Sequence, residues 1–441
     1  MVVGNSTRAS VMKVLFCCEF YAPSVGGVQE VIRQLAERLV EKGHQVTVAT
    51  SKLPNRNFTS LNGVSIKEFL VSGNLVRGIF GDEDKYRQYI IGSDFEVLMI
   101  KAAQQWTFDA LWPVLEQIKI PKVFIPCGFS ALMEPAYATY YSKMPDVLRK
   151  FDHLIFYASD YRDINFTKQH GISNFSIIPN GASEKEFNVN KDATFRSRNS
   201  ISEDAFVFLT VGSLTGLKGH LELAHAFDKL ALKLDVKAVL VLNGNDCTRL
   251  DTNLLSFLRS YISLLRSYGI YYTARHALKR LLQKMGVRVG RLEGIHDIAM
   301  TINKNEKHKK VLVTNFSRSE LIQAYMTSDM FVFASNIEYS PLVLFESAAA
   351  GIPFLSVNVG NSIEIASWTQ SGEICPSERD ERGYTRVSAD VLAQKMAEMM
   401  SNELRLKELG NRGKHNWSER YTWQKIAIQY EQIFENLQEK H

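Results

Sequence analysis

"MFVFASNIEYSPLVLFESAAAGIPF", residues 330–354, is the stretch of the sequence from which the fold class follows. It begins with the apolar run 330–334, which is short and continuous, as is typical of a strand buried on both faces of a parallel sheet. Ser340 and Pro341 then predict a helix start, because serine is a favoured N-cap residue and proline suits the first helical position. The helix is predicted to run to Gly351. A strand, a loop and a helix in this order form one unit of an α/β domain.

Two glutamates flank the predicted start of this helix. Glu338 lies in the loop after the strand, and Glu346 lies in the second turn of the helix. Ligands of such domains bind at the carboxyl ends of the strands, so both carboxylates are predicted to face one cleft. Taken singly, a glutamate near a helix start is usually a surface residue that interacts with the helix dipole.

Strands and helices alternate along most of the chain, which predicts parallel sheets covered by helices. A first block opens with the strand "KVLFCC" (13–18) and an amphipathic helix at 28–43. A second block restarts with the strand at 205–214 and the helix at 219–232. The segment 180–204 between them is polar and lacks periodicity, so it is predicted to connect two doubly wound, Rossmann-like α/β domains.

The predicted domain organisation has three parts. Residues 1–190 form the first domain, and residues 191–420 form the second. Residues 421–441 form a last helix that returns to the first domain. A helical insertion of the second domain is predicted at about residues 246–295.

Composition describes an ordinary globular protein. The chain has 441 residues, of which 45% are hydrophobic and 22% charged, enough for two domains with normal cores. Five scattered cysteines without metal-ligand spacing indicate reduced thiols, and neither an export signal nor a membrane-spanning run is seen, so a cytoplasmic location is expected. The net charge of +5 is too small to indicate nucleic-acid binding.

Three loops that precede helices could bind a ligand. Gly26 and Gly27 in "PSVGGVQE" leave backbone N–H groups open to a phosphate or a sugar. Ser213 and Lys218 lie in "VGSLTGLKGH", where the lysine could supply a point charge to an anion. The third loop holds Glu338 and leads into the predicted helix. Each signal is weak by itself, since a plain turn or a solvated lysine is as common.

Four segments in this order and spacing resemble one family. They are "GGVQEVIRQLAERLVEKGHQVTV" (26–48), "IIPNG" (177–181), "VGSLTGLKGH" (211–220) and "EYSPLVLFESAAAGIP" (338–353). Together they resemble the GT-B glycosyltransferases of the retaining, nucleotide-sugar-dependent family 4, also called glycosyl transferases group 1. The resemblance extends over both predicted domains and implies two Rossmann-like domains facing a central cleft.

The resemblance implies roles for the charged residues. Glu338 and Glu346 match the paired glutamates of the family, so Glu346 would hold the ribose of the nucleotide and Glu338 would contact the donor sugar. Lys218 would stabilise the leaving diphosphate. Lys218 and Glu338 are therefore the expected catalytic residues.

The same resemblance implies further donor contacts. Gly26 and Gly27 would let the backbone of the first domain approach the donor phosphates. Ser340, Leu342 and Val343 would bring the start of the helix to the diphosphate. Neither a metal ion nor another cofactor is expected in this scheme.

Two positions depart from the family pattern. Ser213, among the expected donor contacts, stands where the family usually has an arginine, five residues before Lys218. Cys127 stands in "FIPCGF", where many members carry a histidine near the sugar. These departures keep open a second hypothesis, in which the protein is a catalytically degenerate binding or scaffold subunit with the same fold.

The resemblance favours one enzymatic function over the alternatives. It implies a retaining hexosyltransferase that moves a sugar from a nucleoside diphosphate sugar to a glycan or a lipid-linked acceptor, in cell-envelope polysaccharide or glycolipid synthesis. A bilobed export-dependent binding protein is disfavoured because no export signal is seen. The complete set of four motifs disfavours an epimerase or a phosphorylase.

The insertion has an unusual charge. Residues 249–291 contain nine lysines or arginines and one aspartate, a formal charge of 9 − 1 = +8, which leaves 5 − 8 = −3 for the rest of the chain. Leucines and tyrosines at helical spacing accompany these charges. One hypothesis is that residues 250–290 bind an anionic membrane surface, so that the enzyme lies on the inner face of the membrane. The other is that the apolar stripe packs on its own domain or on a partner.

Overall fold

The computed structural model describes residues 11–233, 236–244 and 294–441. The predicted insertion at about residues 246–295 lies almost entirely outside these described residues. The chain divides into two compact units, Met1–Pro179 with Trp423–His441, and Asn180–Thr422. The division at Pro179 falls earlier than the boundary predicted after residue 190.

The first unit contains an eight-stranded sheet in the order β10-β9-β8-β7-β1-β2-β4-β3. All neighbouring strands are parallel except β3 and β4. Its strands are β1 (Lys13–Cys17), β2 (Gln45–Ser51), β3 (Ser60–Leu61), β4 (Val64–Phe69), β7 (Val97–Lys101), β8 (Lys122–Ile125), β9 (His153–Phe156) and β10 (Phe175–Ile177), and a separate antiparallel pair is β5 (Val71–Asn74) with β6 (Gly78–Gly81).

Helices of the first unit connect these strands, and the last one comes from the end of the chain. The helices are α1 (Gly27–Glu41), α2 (Glu83–Ile91), α3 (Trp106–Asp109), α4 (Ala138–Leu148), α5 (Arg162–Gln169) and α15 (Trp423–Gln438), with 3-10 turns at Trp112–Val114 and Pro135–Tyr137. Helix α15 packs against α1, and Glu431 of α15 is 2.8 Å from the buried His44.

The second unit contains a six-stranded, fully parallel sheet in the order β13-β12-β11-β14-β15-β16. Its strands are β11 (Phe206–Val211), β12 (Ala238–Asn243), β13 (Lys309–Thr314), β14 (Met330–Phe333), β15 (Phe354–Val357) and β16 (Gly372–Cys375), and a short antiparallel pair is β17 (Glu378–Arg379) with β18 (Thr385–Arg386).

The described helices of the second unit are α6 (Glu184–Phe187), α7 (Phe195–Arg198), α8 (His220–Lys229), α9 (Gly294–Asn305), α10 (Arg318–Thr327), α11 (Leu342–Ala350), α12 (Ser362–Thr369), α13 (Ala389–Met400) and α14 (Glu403–Arg420). Gly351 ends α11 in the left-handed conformation, with φ 75°. This is the helix end that the sequence predicts.

Burial explains why the strand segments read as continuous apolar runs. Every residue of β7, β12, β14 and β15 is buried, so both faces of these strands are covered. The fold class predicted from the sequence, two Rossmann-like α/β units with parallel sheets, is confirmed.

The segment predicted as a polar connection is part of the second unit. Phe187 and Phe195 are each at most 3% exposed and lie in the core of that unit. Ala182 forms a parallel bridge with Thr422. Two buried phenylalanines therefore anchor the segment, although its polar composition hides them.

The predicted start of α11 is wrong by one residue. Pro341 is the N-cap, with φ −71° and ψ 116°, and Leu342 is the first helical residue. Ser340 is therefore not the N-cap, and its hydroxyl forms no hydrogen bond with any described residue. The carbonyl of Ser340 instead accepts from Asn180 Nδ2 at 3.1 Å, which holds the loop in an extended conformation up to the proline.

Candidate functional site

The carboxyl ends of the parallel strands of the second unit lie at one edge of its sheet, and the loops that follow β11 and β14 meet there. Leu217 of the first loop accepts hydrogen bonds from the Asn336 N–H at 2.9 Å and from Ser335 Oγ at 3.2 Å. Gly219 closes the same loop with φ 72°, and a Cβ atom added to it would lie 1.8 Å from the Ala334 carbonyl oxygen. Only glycine allows this approach.

This contact brings Lys218 and Glu338 together, although they are 120 residues apart in the sequence. Lys218 Nζ lies 2.5 Å from Glu338 Oε1 in an ion pair, and the Ser335 hydroxyl lies 3.0 Å from the same oxygen, as an alternative acceptor to the Leu217 carbonyl. The side chains of Lys218 and Glu338 are 27% and 17% exposed, so a ligand can reach both. The sequence indicated both residues but not their pairing.

Glu346 is held by an arginine that the sequence analysis missed. Arg318 Nη2 is 2.6 Å from Glu346 Oε1 and 2.6 Å from Glu186 Oε2, so one guanidinium links two carboxylates. Burial alone would lower the pKa of Arg318, but the two carboxylates raise it. Burial and the Glu346 carboxylate raise the pKa of the buried Tyr325 hydroxyl. Glu346 is 7% exposed and is therefore oriented before any ligand binds.

Arg318 could have been found from its local sequence. It is the first residue of α10, directly after Ser317, which forms a capping box with Glu320. The loop before it follows β13, another strand that ends at the same edge of the sheet. A cation directly after such a loop is therefore a sequence signal for this site.

The start of α11 lies at the same edge. Leu342 and Val343 form its first turn, where backbone N–H groups have no partner within the helix. Gly360 packs against the preceding loop, because a Cβ added to it would lie 2.3 Å from the Tyr339 carbonyl oxygen. The loop that leads into α11 is thus held at Tyr339 by Gly360 and at Ser340 by Asn180.

Ser213 and the residue before it lie in the loop that carries Lys218. A Cβ atom added to Gly212 would lie 3.2 Å from the Lys218 side chain and 3.5 Å from His220 Cε1. Ser213 is half-buried, and its carbonyl accepts from the Thr215 N–H at 2.8 Å. His220, a second residue that the sequence analysis missed, is only 1% exposed.

Gly26 and Gly27 belong to the first unit. Gly26 is the N-cap of α1 in an extended conformation, with φ 175°, and Gly27 is the first helical residue. A Cβ atom added to Gly27 would meet no described atom within 4 Å. The open space in front of α1 is therefore compatible with a ligand, and the protein itself does not require glycine at this position.

Several residues at the carboxyl edge of the first sheet have unusual backbone conformations. Cys127 and Phe129 after β8 have φ values of 60° and 45°, and Ala102 and Gln104 after β7 have φ values of 75° and 63°. Such conformations are uncommon for residues other than glycine and often occur at functional sites. Asp163 fixes the loop after β8, since its Oδ2 accepts from the Gly128 N–H at 2.7 Å.

Lys101, the last residue of β7, lies at this edge and is 1% exposed. Its ammonium group donates to the Tyr157 hydroxyl, and no described carboxylate forms an ion pair with it. Burial lowers the pKa of Lys101. The edge of the first sheet thus buries a cation without an anionic partner, unlike the edge of the second.

Comparison with known proteins relates both units to one family. The family 4 glycosyltransferase sequence model matches residues 25–185, and the glycosyl transferases group 1 model matches residues 298–416. N-acetyl-alpha-D-glucosaminyl L-malate synthase of Bacillus anthracis is 21% identical over 93% of this chain and 94% of its own length.

Solved structures of the same fold cover nearly the whole chain. Sucrose-phosphate synthase of Thermosynechococcus elongatus superposes with a TM-score of 0.68 at 17% identity, over 98% of this chain and 100% of that one. Anabaena HepE in complex with UDP and glucose superposes with a TM-score of 0.63 at 14% identity, over 96% of this chain and 100% of that one. The chain belongs to the GT-B glycosyltransferases of family 4, group 1.

The matched ranges do not cover the whole candidate site of this glycosyltransferase. Glu338 and Glu346 lie within the range 298–416, and Gly27 lies within 25–185. Lys218 lies between the two ranges, and the structure connects it to Glu338 through their ion pair.

Two features are absent from the described part of the glycosyltransferase. No described helix has both the length and the apolar character required to cross a membrane. No group of three or more histidine, cysteine, aspartate or glutamate side chains among the described residues could hold a metal ion.

Proposed function

We propose that this glycosyltransferase moves a hexosyl group, with retention at the anomeric carbon, from a nucleoside diphosphate sugar to a glycan or a lipid-linked acceptor. The observation that carries the proposal is the carboxyl edge of the second sheet. There Lys218 and Glu338 pair between the loops that follow the neighbouring strands β11 and β14, and the second loop leads into α11, which carries the Arg318-bound Glu346.

The donor would bind across this edge. The diphosphate lies at the start of α11, where the N–H groups of Leu342 and Val343 and the positive end of the helix favour anions. Ser340, whose hydroxyl is free of described partners, adds a donor beside them. Glu346 accepts hydrogen bonds from the ribose diol through Oε2, while Arg318 remains bonded to Oε1.

The reacting bond lies near Lys218 and Glu338. The bond between the anomeric carbon and the phosphate oxygen breaks, and the acceptor oxygen attaches on the same face. The proton of the acceptor hydroxyl passes to the departing phosphate. Lys218 stabilises the negative charge that develops on the diphosphate, and Glu338 binds hydroxyls of the donor sugar. The scheme requires no metal ion, so a chelator should leave the rate unchanged.

The first unit would supply the acceptor side. Gly27 leaves space in front of α1 for the backbone to approach the donor phosphates, with Gly26 extended beside it. Ser213 cannot replace the positive charge of an arginine. Lys218 and the two helix starts α8 and α11 therefore carry the phosphate charge.

The test is a screen of UDP-, GDP- and ADP-sugars for release of the nucleoside diphosphate, with and without added acceptor sugars. UDP-sugars are the first donors to try, because the structure of Anabaena HepE contains UDP and glucose. Release by one donor and an unchanged anomeric configuration of the product, read by proton NMR, are expected. Binding of a nucleoside diphosphate without release would support the degenerate binding or scaffold subunit. Absence of binding to any of them would contradict the donor site.

A cell-envelope acceptor and a peripheral location on the inner face of the membrane belong to the same proposal. Their support is the formal charge of +8 in residues 249–291. Binding to anionic liposomes should decrease with salt and disappear when residues 250–290 are replaced by a short linker. Neutral liposomes are the control. Equal binding to both kinds of liposome, or binding that survives the replacement, would contradict the membrane role.

A further inference from the structure

His220 is a buried polar side chain without a hydrogen-bond partner among the described residues. It is 1% exposed, and neither Nδ1 nor Nε2 forms a hydrogen bond with any described residue. Most buried polar side chains in folded proteins are hydrogen-bonded, so an exception requires an explanation. Two unsatisfied nitrogens on one ring make a simple packing role costly.

The position of the ring points to the candidate site. His220 is the first residue of α8 and follows Gly219, whose close approach to Ala334 fixes the helix start. A Cβ atom placed on Gly212 would touch both the Lys218 side chain, at 3.2 Å, and His220 Cε1, at 3.5 Å. The imidazole and the stem of Lys218 therefore lie against the same point of the backbone.

The imidazole is neutral in this environment. Burial, and in second place the charge of Lys218, lower the pKa of His220 to about 4. A neutral ring offers one N–H donor and one acceptor nitrogen. It can thus donate to an oxygen next to Lys218 without adding a second positive charge to the loop.

The start of α8 is suited to the same kind of ligand. The first helical N–H group that bonds back along the chain is that of Leu223, which donates to the Gly219 carbonyl at 2.9 Å. The N–H groups of the turn before it have no acceptor within the helix, and helix starts of this kind bind phosphate oxygens.

We propose that His220 is a further donor-binding residue, which donates a hydrogen bond from its imidazole to an oxygen of the phosphate that lies next to Lys218. This inference rests on the proposed function, because it requires a nucleoside diphosphate at that edge. It assigns the recognition of the diphosphate to the starts of α8 and α11 together.

The first experiment compares the affinity for UDP and for uridine by isothermal titration calorimetry. His220→Phe keeps a flat ring but removes both nitrogens, so the affinity for UDP should fall about tenfold, the effect of one hydrogen bond to a charged group. The affinity for uridine, which has no phosphate, should stay unchanged. His220→Asn and His220→Gln place an amide near Nδ1 or Nε2, and one of them should restore the affinity for UDP.

The matched control is His225→Phe, since His225 is exposed on the same helix. Thermal unfolding of all variants checks the fold. Unchanged affinity for UDP in folded His220→Phe, or an equal loss for UDP and uridine, would overturn the proposal.

The second experiment uses the wild-type protein and does not depend on a variant. Histidine labelled with ¹⁵N reports the protonation and the hydrogen bonds of each ring nitrogen by NMR, and the His220 signals are assigned by their absence in His220→Gln. Addition of UDP should shift one of the two nitrogens to the position of a hydrogen-bonded N–H. Addition of uridine should not.

The outcomes distinguish this inference from the proposed function. If the wild type binds UDP, GDP or ADP and the His220 signals do not respond, His220 is not a donor-binding residue, although the donor site stands. If GDP or ADP binds instead of UDP, that nucleotide replaces UDP in both experiments, and its own nucleoside replaces uridine as the control. If the wild type binds none of the three, the proposed function and this inference are both overturned.

Discussion

The carboxyl edges of the two sheets differ in how a buried or half-buried lysine is held. At the second sheet, charged side chains from different elements form pairs, Lys218 with Glu338 and Arg318 with Glu346. At the first sheet, the buried Lys101 donates to the hydroxyl of Tyr157 and forms no ion pair with a carboxylate among the described residues. The backbone after β7 and β8 instead adopts left-handed conformations at several residues that are not glycine.

Under the proposed function, the two units would have different roles. Charge that must respond to a diphosphate is supplied by paired side chains of the second unit, which can exchange a protein partner for a ligand. The first unit contributes a surface shaped by the backbone and by open glycines. Four experiments test this division of roles, and they follow in order of decreasing expected effect.

The largest effect is expected for Lys218→Ala. Loss of the charge that stabilises the leaving diphosphate should lower kcat by about 10²- to 10³-fold, the cost of removing one such group. Binding of UDP, measured by calorimetry, should weaken much less. Lys229→Ala is the matched control, because Lys229 is an exposed lysine of α8 that pairs with the exposed Asp390. An equal loss of binding and turnover would mean that Lys218 only positions the donor.

The next effect is expected for Glu346→Gln, which keeps the shape of the side chain and removes its charge. Binding of UDP should weaken by about 1.5–3 kcal/mol, the range for hydrogen bonds to a charged group. Calorimetry with UDP measures this, and thermal unfolding checks the loss of the pair with Arg318. Glu398→Gln, on an exposed face of α13, should leave binding unchanged. The ribose assignment is wrong if Glu346→Gln binds UDP as tightly as the wild type.

A pair of glycine substitutions compares the two units directly. Gly219→Ala forces a side chain into the left-handed region and against the Ala334 carbonyl, so the free energy of unfolding should fall by about 1–3 kcal/mol. Gly27→Ala meets no described atom, so stability should change by less than about 0.5 kcal/mol.

Urea denaturation measures both changes in stability, and donor turnover measures the function of Gly27. A folded, stable Gly27→Ala protein with reduced turnover would support a ligand in front of α1. Full turnover in that variant would remove Gly27 from the donor site.

The smallest expected effect is on the pH dependence of stability, to which buried groups of the two units contribute with opposite sign. Burial raises the pKa of Glu19, in the first unit, to about 7 and that of Asp109 to about 6. The folded state then holds protons that the unfolded state releases, so stability falls as the pH rises through about 4 to 7. Burial lowers the pKa of His220, in the second unit, to about 4, so its contribution is present above about 6.5 and is lost as the pH falls toward 4.

Urea denaturation at pH 5 and pH 7 separates these two contributions. Glu19→Gln should reduce the loss of stability on going from pH 5 to pH 7, and His220→Gln should reduce the loss on going from pH 7 to pH 5. Glu19 is only partly buried, so we expect changes on the order of 1 kcal/mol. The same sign of change in both variants would contradict the assignment of opposite protonation states.

The sequence predicted the elements whose pattern is local. The buried strand at Met330–Phe333, the helix after it and the glycine that ends it follow from apolar runs and capping residues within 25 residues. The boundary of the second unit did not follow, because Phe187 and Phe195 are two apolar residues in a polar segment. Their burial depends on a core that is assembled from distant strands.

The residues of the candidate site were likewise predictable only where their signal is local in the sequence. Glu338 and Glu346 were indicated by their spacing around one helix start, and Lys218 by its glycine-rich loop. Arg318 and His220 were missed, because their significance depends on partners that are brought close, or are lacking, only in the folded chain. The packing of α10 against α11, rather than any motif, makes Arg318 a neighbour of Glu346.

The contact between Gly219 and Ala334 also bears on the redesign of this enzyme. Leu217 and Gly219 fix the base of the loop to the end of β14, while Ser213 and Thr215 nearer its tip are partly or fully exposed. A library of variants at Ser213 and Thr215 would alter the surface that contacts the donor without disturbing the contacts of Leu217 and Gly219 that hold the base of the loop. Engineering of donor preference should therefore diversify the tip and leave the anchor untouched.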